Sequence, residues 1–196
     1  DFNTYHENIL EWIKIANEYK IPTFVLGVGL GGLIILNLLE KTELPIEGIL
    51  LFSPMLELKR DYKGRKNKLI SNVGKISKDT RFKVGITPQD LTRNDEIIEE
   101  TANDGLMLKK VTYSWYNLIN EKMKETMDHI RDIKPISALI MYGTNDKILE
   151  TQSINEMKDK LKSKEMYFKV WDGLYHEIHN EPERDLVMRY VLSFLN

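Results

Sequence analysis

The sequence predicts an α/β fold, a parallel sheet with helices on both faces, and three observations carry that expectation. Short apolar runs of strand length alternate with longer segments of helical periodicity. Gly48 to Phe52 and Leu139 to Tyr142 are nearly continuous apolar runs rather than alternating ones, as strands buried on both faces are. Turns bearing glycine, aspartate and histidine follow these runs, where ligand sites of parallel sheets lie. With 196 residues and 42% hydrophobic content, the chain is long enough for one core and too short for two, so residues 1–196 are expected to form a single domain.

The first element, His6 to Tyr19, spaces Ile9, Leu10, Trp12, Ile13, Ile15 and Ala16 as an amphipathic helix does, and Pro22 closes it. Thr23 to Leu26 is short, β-branched and aromatic, fit for a buried strand, and Leu33 to Leu39 resumes as an apolar helix. Phe24 to Leu36 carries no charged side chain, but a membrane span needs roughly 20 such residues. A strand, a glycine turn and a helix account for it better. Gly48 to Phe52, Leu139 to Tyr142 and Met166 to Trp171 are the next strands, and Thr151 to Leu161 and Arg184 to Leu195 the next helices.

The interval from Leu58 to Lys134 breaks this alternation and is expected to be an insertion. Its first half is basic and polar (Lys59, Arg60, Lys63, Arg65, Lys66, Lys68) and reads as a solvated loop. Its second half, Leu106 to Ile130, reads as helical, with Met107, Leu108, Val111, Tyr113, Trp115, Tyr116, Leu118 and Ile119 supplying apolar surface.

Composition excludes several classes. Twenty-eight basic against 30 acidic side chains leave a net charge of −2, without the basic face of a nucleic-acid binder. The absence of cysteine removes disulfides, thiolate metal sites and a cysteine nucleophile, and leans towards a reducing, cytoplasmic compartment. The chain opens at Asp1 without methionine or a signal region, so it reads as an excised piece and leaves localisation open.

Gly27-Val28-Gly29-Leu30-Gly31-Gly32 lies between a predicted strand and a predicted helix. Two chemistries use glycines there. Gly27, Gly29 and Gly32 satisfy the dinucleotide pattern G-x-G-x-x-G, but its confirming acid some 20 residues on is missing, because the next strand ends at Phe52-Ser53-Pro54 and Glu57 comes too late. Gly27 and Gly31 also have the spacing of the nucleophile elbow G-x-S-x-G, with Gly29 at the position of the serine. Alone, the turn would be read as structural. It is followed, however, by Asp146 in Gly143-Thr144-Asn145-Asp146 after one strand and by His176 in Tyr175-His176-Glu177 after the last, the chain order of a hydrolase triad. His176 would serve as general base and Asp146 would orient its ring. His179 competes for the base role but is discounted. His176-Glu177-Ile178-His179 is one residue short of a zinc signature, and no metal site is expected. His6 and His129 fall in predicted helices and have no assigned chemistry.

Phe24 to Gly32 resembles the strand and G-H-S-M-G-G elbow of the α/β-hydrolases that include monoacylglycerol lipases and lysophospholipases. Leu51-Phe52-Ser53-Pro54 resembles their next strand, Gly143 to Asp146 their aspartate turn, and Tyr175 to Pro182 their histidine loop, whose first histidine is catalytic. Leu91-Thr92-Arg93-Asn94 resembles part of their cap, the lid that forms an acyl pocket, which places the cap insertion at about residues 58–134. The resemblance implies hydrolysis of a carboxylic ester, a monoacylglycerol or lysophospholipid, through an acyl-enzyme, with no cofactor and with the cap offering peripheral contact to a membrane.

Three departures qualify it. Gly29 stands for serine, Val28 for the histidine before it, and the family's first strands, with the loop that completes an oxyanion hole begun by the N–H of Leu30, are missing. The form with Gly29 is therefore expected to be inactive. A pseudoenzyme that binds lipid or a partner is the alternative, with the dinucleotide reading behind it. A sheet without its first strands should also expose an apolar edge and self-associate.

Overall fold

The computed structural model describes residues 1–59 and 79–195, so the basic run from Arg60 to Lys68 lies outside the described residues. In chain order the elements are α1 (Phe2–Asn17), β1 (Phe24–Val28), α2 (Leu30–Leu39), β2 (Gly48–Phe52), β3 (Arg81–Phe82), α3 (Pro88–Leu91), α4 (Asp95–Asn103), β4 (Val111–Thr112), α5 (Tyr113–His129), β5 (Ser137–Gly143), α6 (Gln152–Lys160), β6 (Met166–Trp171) and α7 (Arg184–Leu195).

The strands β1, β2, β5 and β6 form one parallel sheet in that order. Both faces of its centre are buried. In β2, Ile49 and Leu51 pack with α2 residues such as Leu33 and Leu36, whereas Leu50 and Phe52 turn to the other face and meet Val187 and Val191 of α7. The same two-residue alternation divides β5 between Ala138 and Ile140 on one face and Leu139 and Met141 on the other. This two-sided burial is why both strands read as unbroken apolar runs.

β1 sits at one margin of the sheet, and its Leu26 is 47% exposed. Nearby on α1 and its following turn, Trp12 and Ile21 are also exposed. An apolar groove runs between α1 and this strand, lined by Ile9, Ile13, Phe24 and Val25 among others. Among the described residues, no helix is long and apolar enough to cross a membrane.

The interval between β2 and β5 departs from its expected helix. Helix α5 begins at Tyr113, not Leu106, and Ile130 lies in the 3-10 turn that follows. Thr112 fixes the start, its hydroxyl accepting the N–H of Trp115 at 3.2 Å. Leu106 and Leu108, 88% and 82% exposed, have no core to pack against, and apolar residues without a partner surface do not hold a helix. Helix α1 begins at Phe2, ahead of the expected His6, because Asp1 caps it by accepting the N–H of Thr4.

Candidate active site

Four residues at the carboxyl ends of the four parallel strands define the site: Gly29 after β1, Ser53 after β2, Asp146 after β5 and His176 after β6. The first turn is sharply bent. Gly29 has φ 50° and ψ −114°, outside the regions that residues with a Cβ favour. Its N–H donates to the carbonyl of Phe52 at 3.0 Å and its carbonyl accepts the N–H of Met55 at 2.9 Å, so the neighbouring strand end holds the turn. Gly27 permits the close return of α2, since a Cβ there would lie 2.6 Å from the Gly32 nitrogen. Leu30 opens α2, where its N–H has no partner within the helix.

Asp146 is fully buried and both its oxygens are engaged. Oδ1 accepts the N–H groups of Ile148 at 2.8 Å and Leu149 at 2.9 Å, while Oδ2 lies 2.8 Å from Nδ1 of His176. A carboxylate only accepts, so the ring proton of a neutral His176 belongs on Nδ1, and Nε2 presents a lone pair. That lone pair faces the glycine turn. A Cβ at residue 29 would lie 2.9 Å from Nε2 and 3.5 Å from Cε1 of His176, with no other heavy atom of the described residues beyond its chain neighbours within 4 Å. Gly29, more than a hundred residues before the other two in the chain, therefore meets Asp146 and His176 at one point.

The histidine loop is fastened on several sides by residues that motif spacing did not single out. Ser53, buried and at φ 44°, donates from its hydroxyl to the carbonyl of His176 at 2.8 Å. Glu177 donates its N–H to the carbonyl of Leu91 at 2.8 Å, and Thr92 donates its hydroxyl to the carbonyl of Asn180 at 2.9 Å. Glu181, fully buried, accepts the N–H of Tyr175 at 2.7 Å and pairs with Arg93. Lys59 donates to the carbonyl of Asp146. Lys147 lies over the Tyr175 ring, 4.0 Å from its centroid, and donates to the carbonyl of Gln89 at 2.9 Å.

His179 is placed differently. Burial holds its imidazole below the ordinary histidine value, its buried Nδ1 has no hydrogen-bond partner among the described residues, and its ring centroid lies 6.0 Å from that of Phe52. Asp146 is spent on His176, which leaves His179 without an orienting carboxylate. Among the described residues no cluster of three metal-ligating side chains occurs. His6 and His129 lie in α1 and α5, the latter 3.0 Å from Asp132.

Known proteins share this arrangement of elements. The chain is 28% identical over 194 residues to phospholipase YtpA of Bacillus subtilis, covering 98% of this chain and 75% of that protein. A segment of 57 residues, 29% of this chain and 20% of the relative, is 35% identical to the monoacylglycerol lipase of Mycolicibacterium smegmatis. Among solved structures, the monoacylglycerol lipase of Paleococcus ferrophilus superposes with a TM-score of 0.80 at 23% identity, covering 96% of this chain and 74% of that one. A soluble variant of monoglyceride lipase from Saccharomyces cerevisiae, in complex with a substrate analogue, gives 0.85 at 19% identity, with coverages of 100% and 68%. The family described as serine aminopeptidase, S33, matches residues 1–183, and with the parallel sheet and its strand-end residues in place, the chain belongs to this lipase- and esterase-rich family of α/β-hydrolases.

Proposed function

We propose that this chain carries the active site of a carboxylic ester hydrolase for monoacylglycerols or lysophospholipids in which the nucleophile position is Gly29. His176 is the general base, Asp146 holds its tautomer and stabilises its charged form, and the N–H of Leu30 is one donor of the oxyanion hole. Residues 58–134 act as the cap over an acyl pocket, and through it the enzyme meets lipid. The observation that carries the reading is that a Cβ built on residue 29 comes up against Nε2 of His176, at 2.9 Å, so that the imidazole must shift slightly to admit a serine whose side chain points at it. A side chain at that position points at a base already oriented by a buried carboxylate. With glycine there, no acyl-enzyme forms.

The test is hydrolysis of a short-chain p-nitrophenyl ester, with intact-mass detection of fluorophosphonate labelling, for the Gly29 chain, Gly29→Ser, and Gly29→Ser with His176→Ala. Labelling and turnover are expected only in the single Gly29→Ser form. A folded Gly29→Ser protein that neither labels nor turns over removes the triad assignment and leaves the pseudoenzyme, a lipid-binding or partner-binding protein, in its place.

A further inference from the structure

The turn that follows β2 touches every element that carries the site. The carbonyl of Phe52 accepts the N–H of Gly29 at 3.0 Å, and Met55 donates its N–H to the carbonyl of Gly29 at 2.9 Å. Between them, Ser53 donates its N–H at 2.8 Å to the carbonyl of Met141, on the strand that leads to Asp146. The Ser53 hydroxyl donates to the carbonyl of His176, also at 2.8 Å. Residues 52–55 thus join the glycine turn, the aspartate strand and the base loop through four hydrogen bonds.

Two features single out Ser53 within this turn. It is fully buried, yet its φ of 44° lies in the left-handed region, which a residue with a Cβ adopts only where its surroundings hold it. Lys20, the other described non-glycine residue at positive φ, is by contrast exposed just beyond α1. The second feature is a clamp. The peptide that joins His176 to Glu177 is gripped on both sides, its carbonyl by the Ser53 hydroxyl and its N–H by the carbonyl of Leu91 at 2.8 Å. Asp146 fixes only Nδ1 of the ring, so a tilt of that peptide swings Nε2 about the Asp146 contact.

We infer that Ser53 is a positioning residue, setting the spacing between the residue-29 side chain and Nε2 of His176. This role rests on the triad reading of residues 29, 146 and 176. Ser53 itself is enclosed and its hydroxyl is spent on a carbonyl, so it meets no ester and acts through His176. Without the hydroxyl the base loop is free to draw away from the glycine turn. Proton transfer from a serine at residue 29 depends on the approach of Nε2, so the chemical step suffers and ester binding does not.

The experiment places Ser53→Ala, Ser53→Gly and Ser53→Cys in the Gly29→Ser background and follows p-nitrophenyl butyrate hydrolysis. Thermal melts check the fold, and each rate is divided by the fraction of chain that a fluorophosphonate labels at completion, which discounts misfolded protein. The alanine and glycine variants are expected to lose kcat per labelled site on the order of 10- to 100-fold at unchanged KM, the usual result of a misplaced catalytic group. Ser53→Cys, whose thiol is a weak donor, should recover part of the loss. Unchanged kcat per labelled site in the alanine and glycine variants, or a loss confined to KM, overturns the inference and leaves the triad reading standing. A loss in Ser53→Ala that Ser53→Gly does not share assigns the effect to backbone strain and overturns it as well. A Gly29→Ser parent that neither labels nor turns over removes the triad reading, and the role of Ser53 falls with it.

Discussion

Arg93 and Glu181 meet at 2.8 Å through Nε and Oε2, joining the segment after α3 to the loop that carries His176. The carboxylate is fully buried and its other oxygen accepts the N–H of Tyr175, the residue before the histidine. The guanidinium continues outward to Glu183 at 2.5 Å. The loop's position is thus set by a charge that cannot be left alone.

Arg93→Ala is therefore expected to cost about 2 kcal/mol. That is less than the roughly 3–5 kcal/mol of a fully enclosed pair, because the Arg93 side chain is 34% exposed. Urea unfolding gives the loss, and faster amide exchange at Tyr175 and Asn180 would locate it in this loop. An unchanged unfolding midpoint would mean that Glu181 is satisfied without its partner.

Asp146→Asn, placed in the Gly29→Ser background, is expected to lower kcat on the order of 10,000-fold while leaving the fold intact. An amide NH2 facing Nδ1 favours the wrong tautomer, whereas an amide oxygen can still accept the N–H groups of Ile148 and Leu149. Ester turnover and a thermal melt on the same sample separate the two effects. A loss of only a few fold would leave Asp146 as a turn residue.

Stability should respond to pH through Glu40, at the end of α2. Burial raises its carboxyl above the usual glutamate value, Glu125 adds to the rise, and Thr126, His129 and Lys41 oppose it. One oxygen accepts from Asn37 at 3.2 Å and the Thr126 hydroxyl favours the charged form, but burial outweighs both. A folded-state value above 4.5 means that the stabilising contribution is full below 4.5 and disappears as pH climbs through the raised value. Glu40→Gln should accordingly add about 1 kcal/mol at pH 7, roughly 3 °C in Tm, and nothing at pH 4. His6 has the opposite sense. Burial, with Lys41 and Lys122 behind it and Glu125 opposing, holds it below 6.5, so its contribution is lost as pH falls through that lowered value. Comparing Glu40→Gln with the unsubstituted chain cancels this second titration.

Leu26→Lys should reduce self-association. Leu26 is 47% exposed on a marginal strand beside an apolar groove, and a lysine on an edge strand discourages pairing with another copy. Light scattering over a concentration series should show a fall in apparent mass; equal masses for the two proteins would place any association elsewhere.

The centre of the sheet was legible because two-sided burial leaves an uninterrupted apolar record. At that centre β2 spans Gly48–Phe52, the bounds that the sequence predicts. The edge strand β6, Met166–Trp171, and helix α7, Arg184–Leu195, also have their predicted bounds, although β6 is only partly buried and carries Lys169. The meeting of residues 29, 146 and 176 followed from strand-end placement and chain order. The supports around them were not legible. Ser53 is one of many serines until the fold turns it to positive φ and aims its hydroxyl at the His176 carbonyl, and Glu181 looks like a solvated loop acid until the chain buries it against Arg93. Their roles depend on contacts across 123 and 88 residues, which no local spacing encodes.

The backbone at residue 29 adopts φ 50° and ψ −114° and is held there by hydrogen bonds to Phe52, Leu33 and Met55. Glycine enters that geometry freely, whereas a serine would carry on the order of 1–3 kcal/mol of conformational strain. Reactivity and resistance to unfolding thus pull in opposite directions at one residue. On the proposed function, the substitution that would equip the turn to attack an ester would also loosen it, and the form written in this sequence lies at the sturdy end of that exchange.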